Sequence, residues 1–158
     1  WALCYGTPAL GGKLEAVIRT TLGRHPNDRV RMAANVKNGK PAVTHLKLLE
    51  TFTSGGKTVA SLVEARLETG RTHQVRVHLT GLGASLLGDP LYGTPTKQNM
   101  KWKNLPNDVK AAVEALPGQA LHARVLAVRH PVTEQEMRFE APPPPAFARV
   151  LEVLRAPT

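Results

Sequence analysis

Leu67 to Leu79, LETGRTHQVRVHL, brings together the side chains best suited to joint chemistry. Arg71, Thr72, His73, Gln74, Arg76 and His78 fall in this stretch, with Val75, Val77 and Leu79 threaded between them. A guanidinium stays charged at any ordinary pH and can grip a carboxylate through two parallel hydrogen bonds, so it can both orient an acid and keep it ionised. The spacing predicts a helix: Thr69 or Thr72 caps it, Val75, His78, Leu79 and Leu82 recur at i, i+3, i+4 and i+7, and Gly83 ends it. Free N–H groups and the positive dipole end of a first turn favour phosphate, and Arg71, Thr72, His73 and Gln74 add side-chain donors there. Val75, Leu79 and Leu82 are the expected buried face, leaving Arg76 to look into an anionic cleft. A structural salt bridge at Arg76, with His and Gln on the surface, is the alternative reading.

Other chemistries fit less well. His73 and His78 are five apart, off the i, i+4 spacing that lets two imidazoles share a metal, and Cys4 is the single cysteine, so no metal site is expected. GLG at Gly81 to Gly83 and SGG at Ser54 to Gly56 carry no phosphate-loop fingerprint. Cys4 reads as a small core residue, and without a disulfide framework the chain is expected in a reducing compartment, the cytoplasm, as a monomer.

Charge points to the partner. The 158 residues carry 21 Lys and Arg against 12 Asp and Glu, a net charge of +9. Lys13, Arg19, Arg24, Arg29, Arg31, Lys37 and Lys40 lie between Gly12 and Lys40 with only Glu15 and Asp28 to offset them. A polyanion is the natural partner, with Arg29, Arg31 and Lys40 as candidate phosphate contacts, against the alternative of a merely solvated surface. No apolar run approaches the ~18 residues of a membrane span, and no basic amphipathic helix or lipidation motif is present, so nucleic acid is expected rather than membrane.

The elements that must position these residues read as one α+β domain: a mostly antiparallel mixed sheet with flanking helices. Short alternating runs predict strands at Ala2–Tyr5, Leu14–Arg19, Arg29–Ala33, Ala42–Phe52 and Thr58–Leu67, with SGGK at Ser54 to Lys57 as a hairpin turn and NGK at Asn38 to Lys40 as another. Asn107 or Asp108 caps a helix to Leu116. Leu121–His130 and Met137–Ala141 read as paired strands, and Ala146–Arg155 as a helix with Phe147, Val150, Leu151 and Leu154 on one face. The stretch before Lys103 shows no strong period.

The order of the segments is specific. LETGRTHQVRVHL, LGDPLYG at Leu87 to Gly93, ALHARVLAVRHPVT from Ala120, MRFEAPPP from Met137 and, upstream, VKNGKPAVTHLKLLETF together resemble the RluA class of RNA pseudouridine synthases. HPNDRVRM and GKPAVTH look most like its RluD branch, which acts on large-subunit ribosomal RNA. The resemblance runs from about Trp1 to about Leu154. It implies the pseudouridine synthase catalytic fold and isomerisation of a uridine already in RNA: the N-glycosidic bond breaks and the base is rejoined through carbon, with no cofactor and no metal. It also implies that Arg76 matches the family's basic residue, which pairs with a nucleophilic aspartate from an RLD motif.

No RLD occurs here. Asp28, Asp89 and Asp108 do not match the nucleophile position, and the family's YxA tyrosine would fall just before Trp1. Residues 1–158 are therefore expected to be the C-terminal portion of a single catalytic domain, incomplete at its N-terminal side, inactive alone, with Arg76 lacking its acidic partner. Asp89 and Tyr92 read as loop-shaping residues and His122 as a hydrogen-bonded core histidine. The alternatives are a non-catalytic RNA-binding module derived from the same fold, and a ribosomal assembly protein.

Overall fold

Residues rich in branched side chains make the sheet. In the computed structural model, which describes residues 1–28, 30–92 and 100–156, five strands form it: β1 (Ala2–Tyr5), β2 (Glu15–Arg24), β3 (Met32–Ala34), β4 (Lys40–Ser54) and β5 (Lys57–Leu67). Val17, Ile18, Thr20 and Thr21 in β2, and Val59, Leu62 and Val63 in β5, suit a pleated surface packed on at least one side. The order is β1-β5-β4-β2-β3 with every pairing antiparallel, as short turn connections require. Pro41 lies in the central strand β4, but where only β2 pairs with it, through Thr21; the β5 ladder begins at Thr44. The missing N–H therefore breaks no ladder bond on the β5 side.

The strand β1 is buried along its whole length because both of its faces and both of its edges are covered. Leu3 and Tyr5 pack on one side with Phe52, Ala60 and Leu62 of the sheet and with α3 (Asn107–Glu114) and α4 (Pro145–Arg155); Ala2 and Cys4 pack on the other with Leu46, Val63, Val75 and Leu79. Along its free edge, Leu3 N–H donates to the Ala120 carbonyl at 3.0 Å, Leu87 N–H to the Leu3 carbonyl at 2.9 Å, and Tyr5 N–H to the Ser85 carbonyl at 2.9 Å. Burial pushes the Cys4 thiol up to about 12, in keeping with a core residue.

Several elements differ from the sequence reading, among them β3, which is confined to Met32–Ala34. The first helix, α1, spans Gln74–Gly81 rather than starting at Arg71, and its N-cap is His73, in a left-handed conformation with φ 56°, not Thr69 or Thr72. Strand β2 continues to Arg24 because its ladder with β4 runs through Leu22↔Lys40. A short helix α2 (Met100–Lys103) follows the loop after Tyr92, and too few residues are involved to show a period. The last strands, β6 (Val125–Arg129) and β7 (Glu136–Glu140), form a separate two-stranded sheet, with β7 exposed throughout. Among the described residues no helix is long and apolar enough to cross a membrane.

Two glycines separate backbone strain from crowding. Gly56, in the β4–β5 hairpin turn, has φ 78° and open space around a would-be Cβ, whereas Gly88 has φ 72° and a Cβ there would meet the Gly118 carbonyl oxygen at 2.8 Å. Gly56→Ala should lose about 1 kcal/mol, the left-handed penalty alone. Gly88→Ala should lose clearly more, because a backbone carbonyl cannot swing away. Urea-unfolding midpoints at unchanged slope measure both.

Candidate active site around Arg76

The helix α1 is short, and six consecutive residues, Gln74 to Leu79, are buried. Its apolar side chains meet two clusters: Val75 and Leu79 pack under the sheet with Leu46 and Val63, while Val77 packs with Leu22, Ala42 and Tyr92. The burial of Gln74, Arg76 and His78 between them obliges each to find partners inside the protein.

Arg76 finds Asp89. Its Nε donates to Oδ2 at 2.9 Å and its Nη2 to Oδ1 at 2.8 Å, a two-pronged ion pair with both side chains buried. The carboxylate beside it holds the guanidinium above its ordinary pKa. Asp89 also accepts N–H bonds from Leu91 and Tyr92, at 2.9 and 3.2 Å, which fold the GDPLY turn around it. Asp89 is thus both loop-shaping and the acidic partner that the sequence reading had denied Arg76. The signal was available: a buried arginine needs a counter-ion, and GDP lies 13 residues downstream.

Tyr92 completes the group. The Arg76 guanidinium carbon is 4.9 Å from its ring centroid, and that of Arg31 5.9 Å. Its hydroxyl accepts the Met32 N–H at 2.8 Å and is hydrogen-bonded to His73 Nδ1 at 2.7 Å, the two rings meeting edge to face. The left-handed backbone at His73 is what turns this side chain toward Tyr92 rather than along the helix. Burial and the neighbouring Arg76 lower the His73 pKa, and burial pushes the Tyr92 phenol up.

A second polar chain crosses beneath the helix. Gln74 Oε1 accepts the Thr69 hydroxyl at 2.7 Å and the Arg71 N–H at 3.1 Å, and its Nε2 donates to the Val43 carbonyl and to Thr44 Oγ1 at 3.0 and 2.9 Å. Thr44 is 2.8 Å from His78 Nδ1, and Thr20 is 2.7 Å from His78 Nε2. Each ring nitrogen thus has a hydroxyl partner that can donate or accept, so a neutral imidazole, with one N–H and one bare nitrogen, is satisfied at both. Desolvation lowers the His78 pKa and favours that form.

The residues expected to face RNA divide accordingly. Gln74 is buried and all its amide hydrogen bonds are internal, so it positions α1 on β4 and offers nothing to phosphate. Thr72 and Lys40 are exposed, and Arg71 is half-buried with Nε donating to the Pro41 carbonyl at 2.8 Å. Arg31 stands against the same Tyr92 ring as Arg76, though far from it in sequence. Arg29 lies outside the described residues. His122 is half-buried with Nε2 3.1 Å from the Ala141 carbonyl.

Comparison with known proteins converges on one family. The family model described as RNA pseudouridylate synthase matches residues 1–80, from β1 through α1. Ribosomal large subunit pseudouridine synthase D of Nitrosomonas europaea is 44% identical over 146 residues, 91% of this chain and 38% of that one. The protein of the same name from Neisseria meningitidis serogroup A is 41% identical over 155 residues, 98% of this chain and 37% of its own. This chain therefore spans about two fifths of the length of these relatives. Among solved structures, human RNA pseudouridylate synthase domain containing 1 superposes with a TM-score of 0.66 at 24% identity, over 99% of this chain and 64% of that one. Human RNA pseudouridylate synthase domain containing 4 gives 0.64 at 25%, over 98% and 60%.

Two measurements test the polar interior. Asp89→Leu leaves a buried guanidinium unpaired and should cost about 3–5 kcal/mol, while Arg76→Met with Asp89→Leu should cost less than the two single changes added together. Thermal or urea unfolding of the four proteins gives the cycle. Folding lowers the His78 pKa, so the unfolded chain binds the extra proton; stability is complete above the ordinary histidine value of about 6.5 and falls as pH drops below it. His78→Gln should unfold with a shallower loss of stability between pH 7.5 and 5.5 than the unaltered chain.

Proposed function

This chain belongs to the RNA pseudouridylate synthase family, and from that premise we propose that it is the C-terminal portion of a single catalytic domain isomerising uridine to pseudouridine in RNA. The proposed substrate is large-subunit ribosomal RNA, as the names of the relatives suggest, and the setting is cytoplasmic, with a monomeric enzyme using neither cofactor nor metal. Substrate and product are isomers: the C1′–N1 bond breaks, a C1′–C5 bond forms, and the C5 proton leaves while N1 is protonated. Nothing is oxidised or reduced, so the protein must supply a nucleophile, a means of orienting it and a grip on the RNA.

The observation that carries the reading is the two-pronged pair between Arg76 of the GRTHQVR motif and Asp89 of the turn after α1. A guanidinium has five N–H groups, and Asp89 takes two, leaving three. Among the described residues no other acceptor is recorded for those three. Asp89 and the Tyr92 ring fix the guanidinium plane, so it can present its remaining edge to a nucleophilic aspartate supplied by residues outside this chain. In that arrangement Arg76 orients the acid and keeps it ionised. The exposed cations Arg24, Lys37 and Lys40 along the β2–β3–β4 edge then face the phosphate backbone. The competing reading, Arg76 as a structural bridge to Asp89 alone, is favoured by the same pair and makes a different prediction.

Alone, this chain should not turn over. Incubated with ribosomal RNA labelled with tritium at uridine C5, it should release no tritium above a protein-free control, because the nucleophile is missing. In a longer protein carrying the aspartate motif ahead of Trp1, Arg76→Lys keeps the charge and loses the planar fork. Single-turnover tritium release should fall by about 10²-fold or more while RNA affinity changes little. Turnover equal to that of the unaltered protein would leave Arg76 as a structural bridge.

A further inference from the structure

Two guanidinium groups, those of Arg31 and Arg76, lie within 5.9 Å of one phenol ring centroid, and Asp89 pairs with Arg76. Asp89 neutralises one of the two charges, so the group carries a net positive charge. Arg31 Nε is buried, yet among the described residues it has no hydrogen-bond acceptor. A buried N–H without an acceptor loses its hydration for nothing in return, and beside an unneutralised cation the acceptor it fits is an anion.

The surroundings fix Arg31 in place. Its N–H donates to the Asp28 carbonyl at 3.2 Å, its own carbonyl accepts the His25 N–H at 3.0 Å, and the next residue, Met32, donates its N–H to the Tyr92 hydroxyl. Strand β3 has three residues at the sheet edge and pairs only with β2, too short to hold position by its ladder alone. The Tyr92 hydroxyl, tied also to His73 at the start of α1, is therefore what sets the spacing between Arg31 and Arg76.

We propose that Arg31 and Tyr92 form a phosphate subsite beside Arg76: Arg31 donates to one backbone phosphate next to the reacting nucleotide, and Tyr92 is the positioning residue that holds Arg31 there. The inference rests on the RNA reading above and goes beyond it by assigning one phosphate to one side chain. Tyr92 touches no phosphate and acts only through Arg31, by holding the adjacent Met32.

The test uses this 158-residue chain and short single-stranded uridine oligonucleotides in which one phosphate at a time is replaced by an uncharged methylphosphonate, with affinity measured at several salt concentrations. The unaltered chain should lose about tenfold in affinity at one linkage, the worth of a charge-assisted hydrogen bond. Arg31→Ala should bind about tenfold more weakly, lose sensitivity at that linkage only, and have a salt slope smaller by about 0.7. Tyr92→Phe keeps the ring under Arg76 and should blunt the same sensitivity in a chain that still folds, at a somewhat lower unfolding temperature because the Met32 N–H loses its acceptor. If Arg31→Ala remains as sensitive as the unaltered chain at every linkage, the subsite does not exist. If Tyr92→Phe behaves like the unaltered chain, Tyr92 positions nothing. Absence of RNA binding by the unaltered chain at low salt would remove the RNA reading itself, and the subsite with it.

Discussion

A helix with no exposed face in its first six residues leaves its polar side chains no water, and that constraint organises this protein. Gln74, Arg76 and His78 alternate with Val75, Val77 and Leu79, so every second position had to be matched by a donor or acceptor from another element. The matches come from Thr20 on β2, Thr44 on β4, Thr69 after β5 and Asp89 on the following turn. An unmatched group at any of these positions would carry a desolvation penalty of about 1–3 kcal/mol, more for the guanidinium. The sheet register and the turn after α1 are therefore tied to the same side chains that define the site.

The division of labour along α1 follows from chain direction. Gln74 and His78 point their hydrogen bonds back at β2 and β4 and fasten the helix to the sheet, while Arg76 faces the turn that follows. A guanidinium between a carboxylate and an aromatic ring has little rotational freedom, so its remaining N–H groups point in a defined direction before anything binds. Preorganised donors of that kind stabilise developing charge better than mobile ones because no reorganisation is needed when charge appears.

Much of this was legible in the sequence. β1 was legible to the residue, and the strands β4 and β5 and the SGGK hairpin within a residue or two, because alternation and glycine punctuation report local preferences directly. Arg76 stood out by its motif. Asp89 did not, since a GDP tripeptide reads as a turn whatever its carboxylate does, and nothing local says that the turn folds back on the helix. Gln74 was read as facing RNA because a polar residue at a helix start usually meets solvent; only the strand packed against it shows otherwise. The His73–Tyr92 contact depends on a left-handed residue, and φ at a histidine is set by tertiary demands that spacing does not encode.

The enclosure of β1 has a consequence in time. Its partners lie at Ala60 to Val63, at Ser85 to Leu87 and at Ala120 to Leu121, all later in the chain. During synthesis this apolar strand emerges long before them, and at about 5–20 residues per second its last partner follows on the order of ten seconds afterwards. Through that interval Ala2–Tyr5 is an unpaired edge able to template wrong pairings with other nascent chains. Of the described strands, the one made earliest is thus among the last to be completed, which makes it the natural segment for a chaperone to shield.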